Sequence, residues 1–315
     1  MAWLTWRQHR AQLLGGLFLI GGLALATLLS GLPVRNAYHA QALSACLPPS
    51  ARSGCDLIVR HFESEFVTRR QLSRALVVLP ALLGLFVGAP LLARELEHGT
   101  HQLAWTQGLT RRRWLLSKAS LLGVASLLGA CALAGLAMWW RQPFDAFEGR
   151  ISPRAFDIEG IVVPAYALFA LAVGILAGLL LRRTVAAMTA TAIVFAGVRL
   201  GIERLLRPHY LTPLRVSAEG TIPSSYPSTW VLHDRLVDAS GSPITAGRED
   251  LAILHAQQAR LEPHAYLSSL GWHRIVELQP GSRFWPFQGI EAGIFVALAL
   301  LLLVATVWLV RRTPS

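Results

Sequence analysis

A phosphate-cradling loop needs the pattern G-x-x-x-x-G-K-[ST], and this chain has a single lysine, Lys118, set between Ser117 and Ala119. Nucleotide binding by that route is excluded. His98 and His101 are three apart without an H-E-x-x-H frame, too few ligands for a zinc centre, so neither a metal site nor a bound cofactor is expected. No nucleophile lies beside a base, and no long apolar stretch carries the central Asp, Lys or His of a proton relay. No catalytic residue is therefore expected, and the chain does not read as an enzyme. Two smaller constellations remain. Arg199, Glu203 and Glu291 fall at similar depth near the ends of two apolar stretches, where they form either a gate or, more commonly for such side chains, an interfacial ion pair. Cys46 and Cys55 have eight residues between them, enough for a small disulfide loop, the alternative being two unpaired thiols.

The elements that must carry these residues follow from composition. Of 315 residues 53% are apolar and only 15% charged, a balance that a soluble domain does not tolerate. The apolar residues cluster in stretches of about 20, each able to cross roughly 30 Å of hydrocarbon as a helix. Six spans are expected, at 11–31, 75–93, 119–140, 161–181, 184–203 and 290–310. The fold class is thus an all-α polytopic membrane protein. Arg199 makes the fifth span the weakest, and the Trp139-Trp140 pair closing the third suits an interfacial belt.

Orientation follows from the basic residues, which flank short loops on the cytoplasmic side. Six spans put both termini on one side, together with Arg7, Arg10, the loop 94–118, Arg182-Arg183 and Arg311-Arg312. That side carries 11 basic residues against Glu95 and Glu97. The other side spreads 18 basic and 16 acidic residues over a far longer stretch, so the termini are expected to be cytoplasmic. The extracytoplasmic segments are then 32–74, 141–160 and a sizeable region at 204–289, with a short cytoplasmic tail at 311–315. A disulfide between Cys46 and Cys55 suits an oxidising outside, whereas Cys131 reads as packing within the third span.

Residues 1–10, with Trp3, Trp6, Arg7 and Arg10, read as an interfacial segment on the inner leaflet. Leu43-Ser44-Ala45-Cys46 resembles a lipoprotein cleavage box, but Pro33, Arg35 and His39 separate it from the apolar run, so a retained first span is expected. Before the second span, Ile58, Phe62, Phe66 and Leu72 share one face at near-helical spacing, which suits an interfacial helix bearing Arg69, Arg70 and Arg74. In the larger outside region Trp230–Asp238 reads as a strand before a turn at Ser240-Gly241-Ser242-Pro243. Arg248 to about Glu262 reads as a helix with Leu251, Leu254 and Leu261 on one face. Phe284-Trp285-Pro286-Phe287 reads as an aromatic anchor at the return to the membrane.

The cytoplasmic loop is the informative segment. Thr100 can cap a short helix, Gly108 can end it in the left-handed conformation, and Thr110 can cap the helix that becomes span three. A one-to-two-turn helix hung from two membrane helices acts as a lever on both.

Arg94-Glu95-Leu96-Glu97-His98-Gly99-Thr100, followed by Leu103, Thr110-Arg111-Arg112 and Lys118, resembles the E-x-E-x-G-T, S/T-R-R and K pattern of ABC-2 type exporter permeases, in particular the actinobacterial members. The opening Trp3-Leu4-Thr5-Trp6-Arg7-Gln8 and the run 282–288 are also similar to those members. The resemblance implies a membrane permease subunit that exports a substrate using a separate ABC ATPase, which alone would bind ATP and magnesium. It implies a second permease chain, as a homodimer, with Gly174-x-x-x-Gly178 and Gly197-x-x-x-Gly201 permitting close helix contact. Glu95, Glu97, His98, Gly99 and Thr100 would shape the approach to a coupling helix. Gln102, Trp105 and Gln107 would insert into the ATPase, and Arg111, Arg112 and Arg113 would meet acidic residues or anionic lipid. Nucleic acid is not an expected partner. A rival reading is an ATPase-independent sensor or assembly factor using the extracytoplasmic region. Arg outnumbers Lys 28 to 1, which suggests a GC-rich genome and a bacterial plasma membrane.

Overall fold

The computed structural model describes residues 2–46, 55–68, 71, 74–99, 111–218 and 228–312. Helix α1 (Ala2–Ala40) and a 3-10 turn (Leu43–Cys46) lead to α2 (Cys55–Glu65). A continuous helical rod then runs through a 3-10 turn (Arg74–Val78), α3 (Leu79–Leu83), a π-helical turn (Gly84–Gly88) and α4 (Ala89–Glu97). Next come α5 (Arg111–Glu148), the short α6 (Pro153–Phe156), α7 (Val162–Leu181) and α8 (Thr184–Gly201). A small α/β unit follows, with β1 (Leu214–Ala218), β2 (Trp230–Val237), α9 (Ala246–Gln258), α10 (Pro263–Ser269) and β3 (His273–Gln279), before the last helix, α11 (Phe284–Arg312).

Among the described residues five helical stretches are long and apolar enough to cross a membrane: Leu76–Glu97, Leu115–Glu148, Val162–Leu181, Thr184–His209 and Gly281–Arg312. The first apolar run lies within α1. Helix α7 is the hub, with 72% of its length buried, and α3, α4, α5, α8 and α11 all pack on it. Its sequence explains the position, because it is apolar all round and has glycines where another backbone approaches. A Cβ on Gly174 would lie 2.5 Å from the Gly84 carbonyl oxygen, and one on Gly84 would lie 2.5 Å from the Ala170 carbonyl oxygen. Gly178 meets the Ala89 carbonyl oxygen in the same way, at 2.6 Å. The π turn of 84–88 sits at this crossing, where one rod of span two bends onto α7.

Gly174 and Gly178 are thereby committed to a contact within one chain, whereas Gly197 and Gly201 face open space. Gly174→Leu is expected to lower stability by about 1–3 kcal/mol through overpacking. Gly135→Leu, exposed on α5 with nothing within 4 Å, should leave the melting temperature in detergent unchanged. Equal melting of the two variants would refute the close crossing.

The bundle has two distinct ends. At one, Leu91, Leu92, Leu115, Leu122, Leu171, Ile175 and Val310 form a core beside Lys118, Arg182 and Arg311. At the other, Phe156, Tyr166, Phe169, Phe195, Phe284, Phe287 and Phe295 form a larger aromatic core beneath the α/β unit. The 38 residues of α5 span about 57 Å at about 1.5 Å each, well beyond the hydrocarbon thickness. The projecting turns of α5 and α1 carry Trp140, Phe144, Val34 and Tyr38, on which Phe62, Phe66 and Leu43 pack. Cys46 and Cys55 are joined by a disulfide that closes this cap. Phe62 and Phe66 of the expected interfacial face are thus buried in protein, and among the large apolar residues described in this segment Leu57 and Ile58 remain exposed.

The α/β unit is a three-stranded antiparallel sheet in the order β1-β3-β2, with Val216 opposite Val276 and Leu236 opposite Arg274. The strand and turn read from 230–243 are present: Asp238 Oδ1 accepts the N–H groups of Ser240 and Ser242, each at 2.9 Å, and the Ser240 hydroxyl at 2.5 Å. These bonds, the Ser240 hydroxyl first, hold the Asp238 carboxyl below the usual carboxylate range. Helix α9 buries Ala252 and Ala256 and leaves its expected leucine face, Leu251 and Leu254, exposed. Gln279 bolts the sheet to the bundle, donating to the carbonyls of Pro208 (3.2 Å) and Leu211 (2.8 Å). Phe284 and Phe287 of the aromatic anchor turn inward, and Trp285 stays exposed.

Candidate functional site

At the basic end, the paired glutamates of span two each bind a different helix. Helix α4 closes at Glu97, with the His98 N–H on the Arg94 carbonyl (3.2 Å) and Gly99 at φ +70°, the left-handed position that ends a helix most easily on glycine. One turn back, the Glu95 carboxylate pairs with Lys118, whose side chain is 6% exposed. That contact joins the end of span two to the start of span three. Glu97 Oε2 instead accepts both the backbone N–H (3.0 Å) and the hydroxyl (2.7 Å) of Thr184. Thr184 opens α8, following Arg182 at φ +54° and an extended Arg183. A carboxylate there satisfies two donors of a helix start and complements its dipole.

The sequence pattern Glu-x-Glu is thus a double tie, from span two to span three through Lys118 and from span two to span five through Thr184. Thr100, Gln102, Trp105 and Gln107 lie outside the described residues. Arg111, Arg112 and Arg113 form the first turn of α5, directly after Thr110, and only their backbone is described.

At the opposite end, the expected grouping of Arg199, Glu203 and Glu291 is replaced by a larger network. Arg199 pairs with Asp157 at 2.8 Å rather than with Glu203, and Glu291 pairs with Arg207 at 2.7 Å. Arg207 also reaches Asp157 at 2.7 Å and is fully buried. Tyr166 donates to Glu291, as does Tyr210 at 3.1 Å. Beside it Arg141 and Arg150 bind the two oxygens of buried Glu159 at 2.8 and 3.0 Å. The loop 149–161 supplies both Asp157 and Glu159, so it connects span three, α7, span five and span six. Gln288 fixes that loop, donating to the carbonyls of Phe156 and Glu159 and accepting from the Val162 N–H. A Cβ on Gly160 would strike the Gln288 side chain at 2.5 Å.

The correction has a physical cause. Residues four apart on a helix can pair, but at Arg199 a buried aspartate from another segment competes and wins, because a buried charge requires a desolvated counter-ion. Asp157, Glu159 and Arg207 looked like ordinary loop charges in the sequence; only the Phe and Tyr residues surrounding them hinted at burial. Among the described residues no group of three or more His, Cys, Asp and Glu side chains is placed to hold a metal ion.

Long apolar helices around a buried hub, with charge confined to the two ends, define a multi-pass all-α protein of the plasma membrane. The model of the family described as ABC-2 membrane transporter related matches residues 17–207, more than half of the chain, and the chain belongs to that family. It is a transporter permease, and membership implies association with an ABC ATPase. The match includes both glutamate ties and ends at Arg207, so the α/β unit and the last span lie beyond it. No curated protein and no solved structure matches the chain.

Proposed function

We propose that this chain is the membrane half of an ATP-driven ABC-2 type exporter in a bacterial plasma membrane, with six spans and both termini in the cytoplasm. A separate ATPase binds ATP and magnesium and engages the loop 94–118. The observation that carries this reading is the double tie of Glu95 and Glu97. A push on that loop reaches spans two, three and five at once, which is what a coupling element must do. Arginine-rich flanks at the same end, including Arg111 to Arg113, agree with a cytoplasmic face by the positive-inside rule.

A second permease chain completes the path. Its contact lies away from Gly174 and Gly178, which are already covered, while the face of α8 bearing Gly197 and Gly201 is open. The α/β unit stands over the outer mouth, tied to the spans by Gln279 and Arg283.

Co-purification from native membranes in mild detergent, with mass spectrometry of the bound proteins, tests the coupling. A P-loop ATPase is expected with the native chain and not with a variant whose residues 102–107 are replaced by Gly and Ser. Retention of the ATPase by the variant would remove the loop from the interface. Recovery of no ATPase, under conditions that preserve known complexes, would put the sensor or assembly reading first.

A further inference from the structure

Beside the basic end, three helices line an apolar cavity of about 200 Å³. Its walls are the α5 stripe Leu115, Leu116, Ala119, Ser120 and Gly123, together with Leu168, Leu171 and Ile175 of α7 and Leu303 and Val307 of α11. An apolar cavity of roughly 150 Å³ already admits a benzene ring. This slot lies between long apolar helices, and Leu116 and Ser120 of its wall are exposed, on the surface that faces lipid tails in a bilayer.

The chemistry at its end is what identifies the occupant. Each wall leads into an arginine. On α5 the stripe 115, 116, 119, 120 continues one turn back to Arg111 and Arg112. On α11 the row 303, 307 continues one turn on to Arg311, and Arg182 directly follows the last turn of α7. Arg182 and Arg311 are exposed, and among the described residues neither pairs with a carboxylate. The carboxylates of that end are already engaged, Glu95 by Lys118 and Glu97 by Thr184. An apolar slot whose walls end in exposed arginines complements one molecule of the surrounding leaflet: an acyl chain with an anionic headgroup.

We propose that this slot is a binding site for an anionic phospholipid of the bilayer, with one acyl chain between α5, α7 and α11 and its phosphate at the basic end, where Arg182 and Arg311 are exposed. The site would hold span three against spans four and six beside Lys118, so lipid occupancy would set the resting position of the span that Glu95 grips. It stands independently of the ATPase.

The slot can be filled without disturbing the backbone. A Cβ on Gly123 meets only Leu171 Cδ2, at 3.8 Å, so Gly123→Leu projects into it. Gly135→Leu, on the same helix in open space, is the control. The purified full chain would be placed in nanodiscs of equal phosphatidylglycerol and phosphatidylcholine, each in turn bearing a diazirine on its acyl chain, and the labelled peptides identified after illumination.

Native protein is expected to be labelled within 115–123 and 303–307, with phosphatidylglycerol favoured about tenfold. Gly123→Leu should abolish that labelling and Gly135→Leu should retain it. Replacing Arg182 and Arg311 by Gln should equalise the two lipids while leaving the acyl chain in the slot. Label spread evenly over all lipid-facing helices of the native protein, or equal use of the two lipids by it, would overturn the proposal. Because both of those readings need only the native chain, a variant that fails to fold does not shield it.

Discussion

Arg207→Ala is expected to be among the most damaging single substitutions in this protein, lowering stability by about 3–5 kcal/mol, the size found when one member of a buried ion pair is removed. The guanidinium is fully buried and holds Asp157 and Glu291, themselves 7% and 1% exposed by side chain. Removing it leaves two carboxylates facing each other with only Arg199 and the tyrosine hydroxyls of Tyr166 and Tyr210 to answer them. The loss should be greater than for Arg215→Ala, whose bond to Glu277 involves a side chain 78% exposed and belongs to the class of surface pairs worth little. Thermal unfolding of the detergent-solubilised chain, followed by tryptophan fluorescence, measures both. A combined Arg207→Met and Glu291→Leu variant should recover part of the loss, since apolar replacement of a whole buried pair is often tolerated. If Arg207→Ala melts with the native chain, the network is open to water and cannot be what binds the 149–161 loop to the spans.

That network also marks where the sequence stopped being legible. The spans could be read because a 20-residue apolar run has few alternatives, and the Glu-x-Glu-x-Gly-Thr segment could be read as a loop feature because Gly99 and Thr100 punctuate it. Strand β2 could be read because Asp238, Ser240 and Gly241 write a turn after it. Strand β3 could not, since His273-Arg274-Ile275-Val276-Glu277-Leu278-Gln279 mixes charge with apolar residues and its pairing with β1 joins residues 62 apart, as Arg215 and Glu277 show. The same distance hid the ion pairs: Arg207 meets Glu291 across 84 positions.

Periodicity gave the right face of a helix in some places and the wrong one in others. On α9 the leucines share a face, yet the small Ala252 and Ala256 are what fit against the sheet unit. On α2 the phenylalanines share a face, yet it meets the projecting turns of α1 and α5 rather than lipid. Gly174 and Gly178 likewise advertise close packing without saying with which backbone.

Glu97→Ala is expected to leave the bundle folded and the ATPase bound while breaking the transmission to span five. Span four ends at Arg182 in the left-handed conformation, and span five begins two residues later, so α8 starts with N–H groups that need acceptors beside the loop that follows Glu97. Glu97 takes the Thr184 N–H and hydroxyl together, and it is the loop's last residue still within α4. A displacement of the loop must therefore carry the start of α8 with it, or break two hydrogen bonds to one carboxylate oxygen. Spin labels at Val185 on α8 and Leu128 on α5, both exposed, report this as a distance that changes when nucleotide is added to the reconstituted complex. In Glu97→Ala that change should shrink, with ATP hydrolysed per productive cycle rising about five- to tenfold, the lower range of known coupling effects. Thr184→Val, which loses the hydroxyl bond but keeps the backbone N–H bond, should shrink the change less, and the double variant should match Glu97→Ala, because Glu97 is the acceptor of both bonds. Glu95→Ala should act differently, freeing span three while span five still responds. Should Glu97→Ala keep the full nucleotide-driven change, span five takes its motion from α7, against which α8 also packs, and the Glu97 tie is only a helix cap.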